Sequence, residues 1–184
     1  EGYSEWMEFD VRAALENLTQ HPVFIENETN AAALAELDYG LGAESRSFFY
    51  IAINACLGRG LVLDGNGHRG AMALSGEIGW LPIADDRDKT APKVDLLGEV
   101  VTMFFLYKFL GEHGVRASVP QDLLTLDARG KALVSKWLKE MSAHLAVAVK
   151  HIGMIVDPDA IIIGGRLPIR MIDELLRYVH EHLT

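Results

Sequence analysis

Along the chain, apolar residues recur every three to four positions in some stretches and run together in others, which separates helices from strands. Val11, Leu15 and Leu18 share one face of a helix that Asp10 can cap and that reaches about Gln20. Pro22–Ile25 reads as a short apolar strand. The polar turn Glu26-Asn27-Glu28-Thr29-Asn30 leads into Ala31–Leu37, a strong helix former that stops near Gly40 and Gly42. Ser47–Asn54, rich in β-branched and aromatic residues, predicts a strand, and Gly60–Leu63 another. Asp64-Gly65 and Asn66-Gly67, which follow them, are hairpin dipeptides.

Helical periodicity dominates the second half. Leu96–Gly111 predicts one helix, Pro120–Leu126 a short one, and Asp127 or Ala128 opens a long one to about Met154. Its apolar face carries Leu133, Val134, Trp137, Leu138, Met141, Leu145, Val149 and Ile152. Asp157-Pro158 ends it. Ala160–Ile163 is an apolar strand that closes on Gly164-Gly165. Pro168 then opens a final helix with Ile169, Ile172, Leu175, Leu176 and Val179 inward. Leu74–Ile83 is Gly-rich and irregular, and Asp85–Asp95 is a charged loop.

Composition narrows the chemistry. The 184 residues are 49% hydrophobic with a formal charge of −9, which suits a globular α/β domain and opposes direct binding of nucleic acid phosphates. No run reaches the roughly 18 apolar residues of a membrane helix. The chain opens on Glu-Gly-Tyr-Ser-Glu, without a signal-peptide pattern or an initiator Met. We therefore expect a soluble, cytoplasmic protein that is a piece of a longer one. A single cysteine, Cys56, excludes an internal disulfide and a Cys-rich zinc site, and its expected place is a semi-buried one. Gly65-Asn66-Gly67-His68-Arg69-Gly70 matches a dinucleotide-binding pattern. No helix pattern follows it, so the turn reading is preferred.

Four segments in order, Val23–Glu36, Gly58–Gly70, Gly76–Trp80 and Pro158–Gly165, resemble the ROK family of bacterial sugar kinases and sugar-responsive repressors. The resemblance implies an actin-like ATPase, ribonuclease-H-like fold truncated at its N-terminus. Residues 1–40 would be the remnant of the smaller subdomain and the interdomain helix, and residues 41–184 the larger α/β subdomain. The family's first phosphate loop, and the winged helix-turn-helix of its repressors, have no counterpart here.

The resemblance also assigns roles. Where family members carry E-N-D-x-N, this chain reads Glu26-Asn27-Glu28-Thr29-Asn30. Asn27 matches a sugar ligand, and Glu28 stands in place of the general base, an Asp. The extra methylene moves the carboxylate by about 1 Å, a displacement that can cost roughly a hundredfold in rate. Asn54-Ala55-Cys56 replaces the G-T-G turn that cradles ATP, with Cβ atoms where only glycine allows close approach. Gly58 and Gly60 persist after it, and a bulge or tight strand entry accounts for them. The sugar-contacting G-E-x-G-H segment becomes Gly76-Glu77-Ile78-Gly79-Trp80, so Glu77 is kept and Trp80 replaces a His that also ligates zinc. Glu99 falls where the family has another sugar-binding Glu; a helix dipole accounts for it equally well. The zinc cysteines are absent from Asp85–Leu97.

The expected function is the sugar-sensing and oligomerisation domain of a transcriptional regulator that has lost kinase activity. The alternatives are an ATP-dependent sugar kinase and a domain that only dimerises. A sugar or sugar-phosphate ligand is expected between Asn27-Glu28 and Glu77-Trp80, with Trp80 offering its face to the ring or filling the pocket as core. Expected too are no zinc, no ATP, a homodimer or larger assembly, and DNA contact only through a missing helix-turn-helix.

Overall fold

The computed structural model describes residues 8–83 and 95–184. Asp10 caps α1 (Val11–Thr19) by accepting a hydrogen bond from the Ala13 N–H at 3.0 Å. Asn27 caps α2 (Glu28–Tyr39) in the same way. Between them, Pro22–Ile25 forms no strand. A strand needs a neighbour to fill its ladder, and here the Val23 N–H is taken by the Glu16 carboxylate at 3.1 Å while Phe24 is 89% exposed.

The central sheet orders its strands β3-β2-β1-β6, with β1 (Phe48–Ile53), β2 (Leu57–Leu63), β3 (Asn66–Gly67) and β6 (Ala160–Gly165). β1 lies antiparallel to β2 and parallel to β6. It is buried along its whole length because both faces of the sheet are covered. Phe48, Tyr50 and Ala52 meet Ala33 of α2, Val62 and Ile162 on one face. Phe49, Ile51 and Ile53 join the larger core on the other, with leucines of the C-terminal helices.

The hairpin turn lies where the dipeptide signal put it. Asp64 and Gly65 have φ of 50° and 75°, and Leu63 pairs with Asn66 across a two-residue loop. Two positive φ values in succession match the right-handed strand twist, and this is a turn rather than a dinucleotide loop.

Gly58 and Gly60 correct the sequence reading. The β1–β2 register runs without interruption from Phe48↔Val62 to Ile53↔Leu57, so no bulge is present. Both glycines instead let α2 lie against β2. A Cβ on Gly58 would stand 2.3 Å from Thr29 Cγ2, and one on Gly60 would stand 2.4 Å from Ala33 Cβ and 2.9 Å from the Thr29 carbonyl oxygen.

The stretch expected to be one helix from Leu96 divides into α3 (Leu97–Val100) and α4 (Met103–Glu112). Thr102 has extended backbone, is buried, and caps α4 by accepting from the Phe105 N–H at 3.2 Å. The Met103 N–H is drawn to the Asn54 carbonyl at 2.9 Å, which docks the start of α4 on the β1–β2 turn. A short pair of strands, β4 (Pro82–Ile83) and β5 (Asp95–Leu96), precedes α3. The charged loop falls almost wholly outside the described residues.

After α5 (Pro120–Leu124), α6 (Ala128–Val156) is capped by Asp127, which accepts from the Gly130 N–H at 2.7 Å. It ends at Asp157, whose left-handed φ of 51° reverses the chain before Pro158. On α7 (Ile169–Leu183), Ile172, Leu175 and Val179 are buried. Ile169 and Leu176, expected beside them, are exposed, because they sit on the shoulder of the apolar stripe and the seam against α6 is narrower than the stripe.

Candidate functional site

Two polar segments converge at the start of α2. The first is the turn before that helix. The Asn27 side-chain oxygen accepts from the N–H groups of Thr29 and Asn30 at 2.9 and 3.3 Å and from the Thr29 hydroxyl at 2.6 Å. The cap therefore engages that oxygen, and the amide end of Asn27 is what the residue has to offer a ligand. Glu26 accepts from the Asn27 N–H at 2.9 Å and the Asn30 amide at 3.0 Å, and it pairs with Arg69. Those contacts, led by the Asn30 amide, hold its carboxyl below the usual range.

The second segment is the irregular stretch after β3. Glu77 lies at its end, just before a single 3-10 turn (Ile78–Trp80). Its carboxylate is paired with Arg59 of β2, at 2.9 Å. Arg59 is buried, and its Nη atoms also donate to the Asn30 side-chain oxygen at 3.1 Å and the Ala73 carbonyl at 2.8 Å. Asn30 thus stands between both ion pairs, giving to Glu26 and receiving from Arg59. Arg59 escaped the sequence reading. Its one signal was a charge inside the otherwise apolar run Leu57–Leu63.

Trp80 is 70% exposed. The alternative in which it fills the pocket as a core residue does not hold. Glu99 sits in the first turn of α3 and accepts from the Leu96 N–H at 3.2 Å, which is a capping role. Its helix is docked on the Trp80 turn: the Leu97 N–H donates to the Leu81 carbonyl at 2.9 Å, and Gly98 lies so close to Gly79 that a Cβ there would stand 3.1 Å from the Gly79 Cα. The structure therefore joins Asn27 to Glu77 through Asn30 and Arg59, and joins Glu99 to the segment of Trp80.

Glu28 is exposed, and its carboxylate accepts from the Asn54 amide at 3.2 Å. It borders a cleft of about 490 Å³ together with Cys56, Phe104, Tyr107, Val119 and Arg166. The Asn54-Ala55-Cys56 turn forms one wall, and the polar groups of Asn54 are already engaged. Asn54 donates its N–H to the Cys56 carbonyl at 3.1 Å, and its side-chain oxygen accepts from the Arg166 N–H at 3.0 Å. Cys56 is exposed rather than semi-buried, because the turn projects from the end of the sheet. Among the described residues, no three His, Cys, Asp or Glu side chains are grouped to hold a metal ion. No described helix is long and apolar enough to cross a membrane.

Comparison with known proteins places the fold. The chain is 24% identical to a glucokinase of Halalkalibacterium halodurans over 195 residues, covering 96% of this chain and 58% of the relative. It is 32% identical to the xylose repressor of Bacillus subtilis over 80 residues, covering 44% of this chain and 21% of that protein. The ROK hexokinase of Thermus thermophilus superposes with a TM-score of 0.70 at 27% identity, covering 96% of this chain and 61% of that one. The chain thus spans about half the length of the curated relatives it matches, and it carries the actin-like ATPase fold of the ROK sugar kinases. The ROK family model matches residues 2–183, and with the two polar segments in register the chain belongs to the ROK family.

Proposed function

We propose that this chain is the sugar-sensing and oligomerisation part of a ROK-type transcriptional regulator in which phosphoryl transfer has been lost. One observation carries the reading. In the turn that would cradle nucleotide phosphates, Asn54-Ala55-Cys56, the N–H, carbonyl and amide side chain of Asn54 are spent on Cys56, Met103, Arg166 and Glu28, and Asn54 and Cys56 carry Cβ atoms where the family's turn has glycine. A phosphate loop works by leaving backbone N–H groups free to face the anion. A regulator needs only a ligand that binds one conformation better than another.

In this reading the ligand is a sugar or sugar-phosphate. Asn27, Glu28, Glu77 and Glu99 bind its hydroxyls, and exposed Trp80 offers an apolar face to the ring. The segment through residue 40 belongs to the smaller subdomain and interdomain helix, and residues 41–184 form the larger one. The intact protein pairs with itself, reaches DNA through a separate helix-turn-helix, works in the cytoplasm and needs neither zinc nor ATP. The kinase reading is favoured by one feature, the Glu28 carboxylate bordering the 490 Å³ cleft.

The test is made on the full-length protein. Xylose, glucose and N-acetylmannosamine are titrated while Trp fluorescence is followed, and each is then offered with ATP in a coupled assay. Saturable binding without turnover supports the regulator. Turnover near a common enzyme value of roughly 10 per second overturns it.

A further inference from the structure

We infer that Arg59 is the positioning residue of the candidate sugar site, the clamp that holds the 69–80 segment on α2 and restrains the carboxylate of Glu77; the inference rests on the sugar-binding reading above. Alternation along β2 puts Arg59 on the face shared by Leu57 and Leu61, a place where a cation is costly unless it is paired. The sheet itself gains nothing from the charge, because the β1–β2 ladder runs through Arg59 by backbone pairing with Ile51. What the guanidinium does is join three pieces of chain. Nη1 donates to Asn30 on α2, and Nη2 donates to the Ala73 carbonyl and to Oε1 of Glu77.

The partners share a pattern. Ala73 and Glu77 lie in a segment whose only regular structure is a single 3-10 turn, and Arg69 at its start is paired with Glu26. Two arginines therefore pin this segment at three points to residues 26–30, the turn that carries Asn27 and Glu28. Glu77 is left with one oxygen fixed and its side chain 34% exposed. A carboxylate so held offers its second oxygen with little rotamer freedom left to lose, which favours binding by preorganisation. A planar fork reaches three acceptors at once where an ammonium is a single point.

The experiment is segment-resolved hydrogen exchange on the full-length protein, which needs no ligand. Wild type is compared with Arg59→Met and Arg59→Lys. We expect amides of residues 70–80 to exchange at least about tenfold faster in Arg59→Met, the size that loss of charge-assisted hydrogen bonds implies. Residues 48–53 should be unchanged, and Lys should restore part of the protection. Equal acceleration across the chain, or none in 70–80, overturns the clamp. If Arg59→Met does not fold, Asn30→Ala and Glu77→Gln remove one partner each and should produce the same local pattern at smaller size.

A second readout is a binding cycle with xylose, glucose and N-acetylmannosamine. Glu77→Gln should raise the Kd of whichever sugar binds by about tenfold in wild type and by less than about twofold in Arg59→Lys, since an unclamped carboxylate contributes less. Equal losses in both backgrounds overturn the positioning role. If none of the three sugars binds wild type, the sugar-sensing reading fails, and the exchange result still decides whether Arg59 is the clamp.

Discussion

Arg59 reaches from the middle of β2 to the carboxylate of Glu77 at 2.9 Å, with the arginine side chain only 7% exposed. Eighteen positions separate them in sequence, and the hairpin and the irregular segment fill the interval. The pair fixes the one family-matched carboxylate that sits in irregular structure. It also makes the surrounding loop dependent on a residue that has no counterpart in the motif itself.

Removing both partners should cost less than the two single removals added together. Glu77→Ala leaves a buried guanidinium without its counter-charge, and we expect a loss of about 2 kcal/mol, below the cost of breaking a fully buried pair because Glu77 is partly exposed. Arg59→Met combined with Glu77→Ala should lose less than the sum of the single changes. Urea unfolding of the four proteins checks this. Strict additivity would mean that the pair contributes no coupling.

The close approach of α2 to β2 yields a test with a built-in rescue. Gly60→Ala should destabilise by about 2 kcal/mol or more, because its Cβ meets the Thr29 backbone oxygen at 2.9 Å as well as Ala33. Gly58→Ala meets a side chain, Thr29 Cγ2, whose rotamer is held by the hydroxyl bond to Asn27. Thr29→Ser keeps that hydroxyl and removes the methyl, so it should recover most of the Gly58→Ala loss and none of the Gly60→Ala loss. Thermal unfolding of the single and paired variants distinguishes the two sites.

Acid should reach the site through Glu26. Its folded pKa lies below the ordinary value of 4.5, with the Asn30 amide the first cause and the Asn27 N–H the second. A carboxylate depressed in this way contributes stability that is fully present above its unfolded pKa and is lost as pH falls through the folded one. The loss should therefore begin near pH 4.5 and continue below it. Glu26→Gln should be less stable than wild type at pH 7 and should show a shallower decline on the acid side. Parallel declines in denaturant midpoint from pH 6 to pH 3 would remove Glu26 from the account.

Asn27 caps α2, and a well-chosen substitution separates that role from the sugar contact proposed for it. Asn27→Ala loses the cap and should cost about 1 kcal/mol of stability. Asn27→Ser retains a capping oxygen and drops the amide, so it should fold nearly as well as wild type while binding sugar more weakly. If Asn27→Ser leaves the affinity of a bound sugar unchanged, the residue is a cap and nothing more.

Much of this fold was legible because its signals are local. Asp10, Asn27 and Asp127 cap helices whose periodicity is visible within a few turns, and Asp64-Gly65 carries the φ preferences of a two-residue turn within its own dipeptide. Strands β1 and β6 declare themselves by composition, and the motif segments around Asn27 and Glu77 establish kinship without any coordinates. What tertiary structure decided concerns partners. Pro22–Ile25 has strand composition and no ladder to join. Leu96–Gly111 has one helical pattern, yet it breaks at Thr102, where the Met103 N–H meets the Asn54 carbonyl nearly fifty residues away in sequence. Gly58 and Gly60 read as a bulge or a tight strand entry until α2 is seen resting on them, and Glu77 reads as a free ligand until Arg59 is seen holding it. A hydrogen bond or an excluded Cβ acts over about 3 Å of space and any distance in sequence, so a linear reading can propose the residues of such a contact, and only the folded chain chooses the pair.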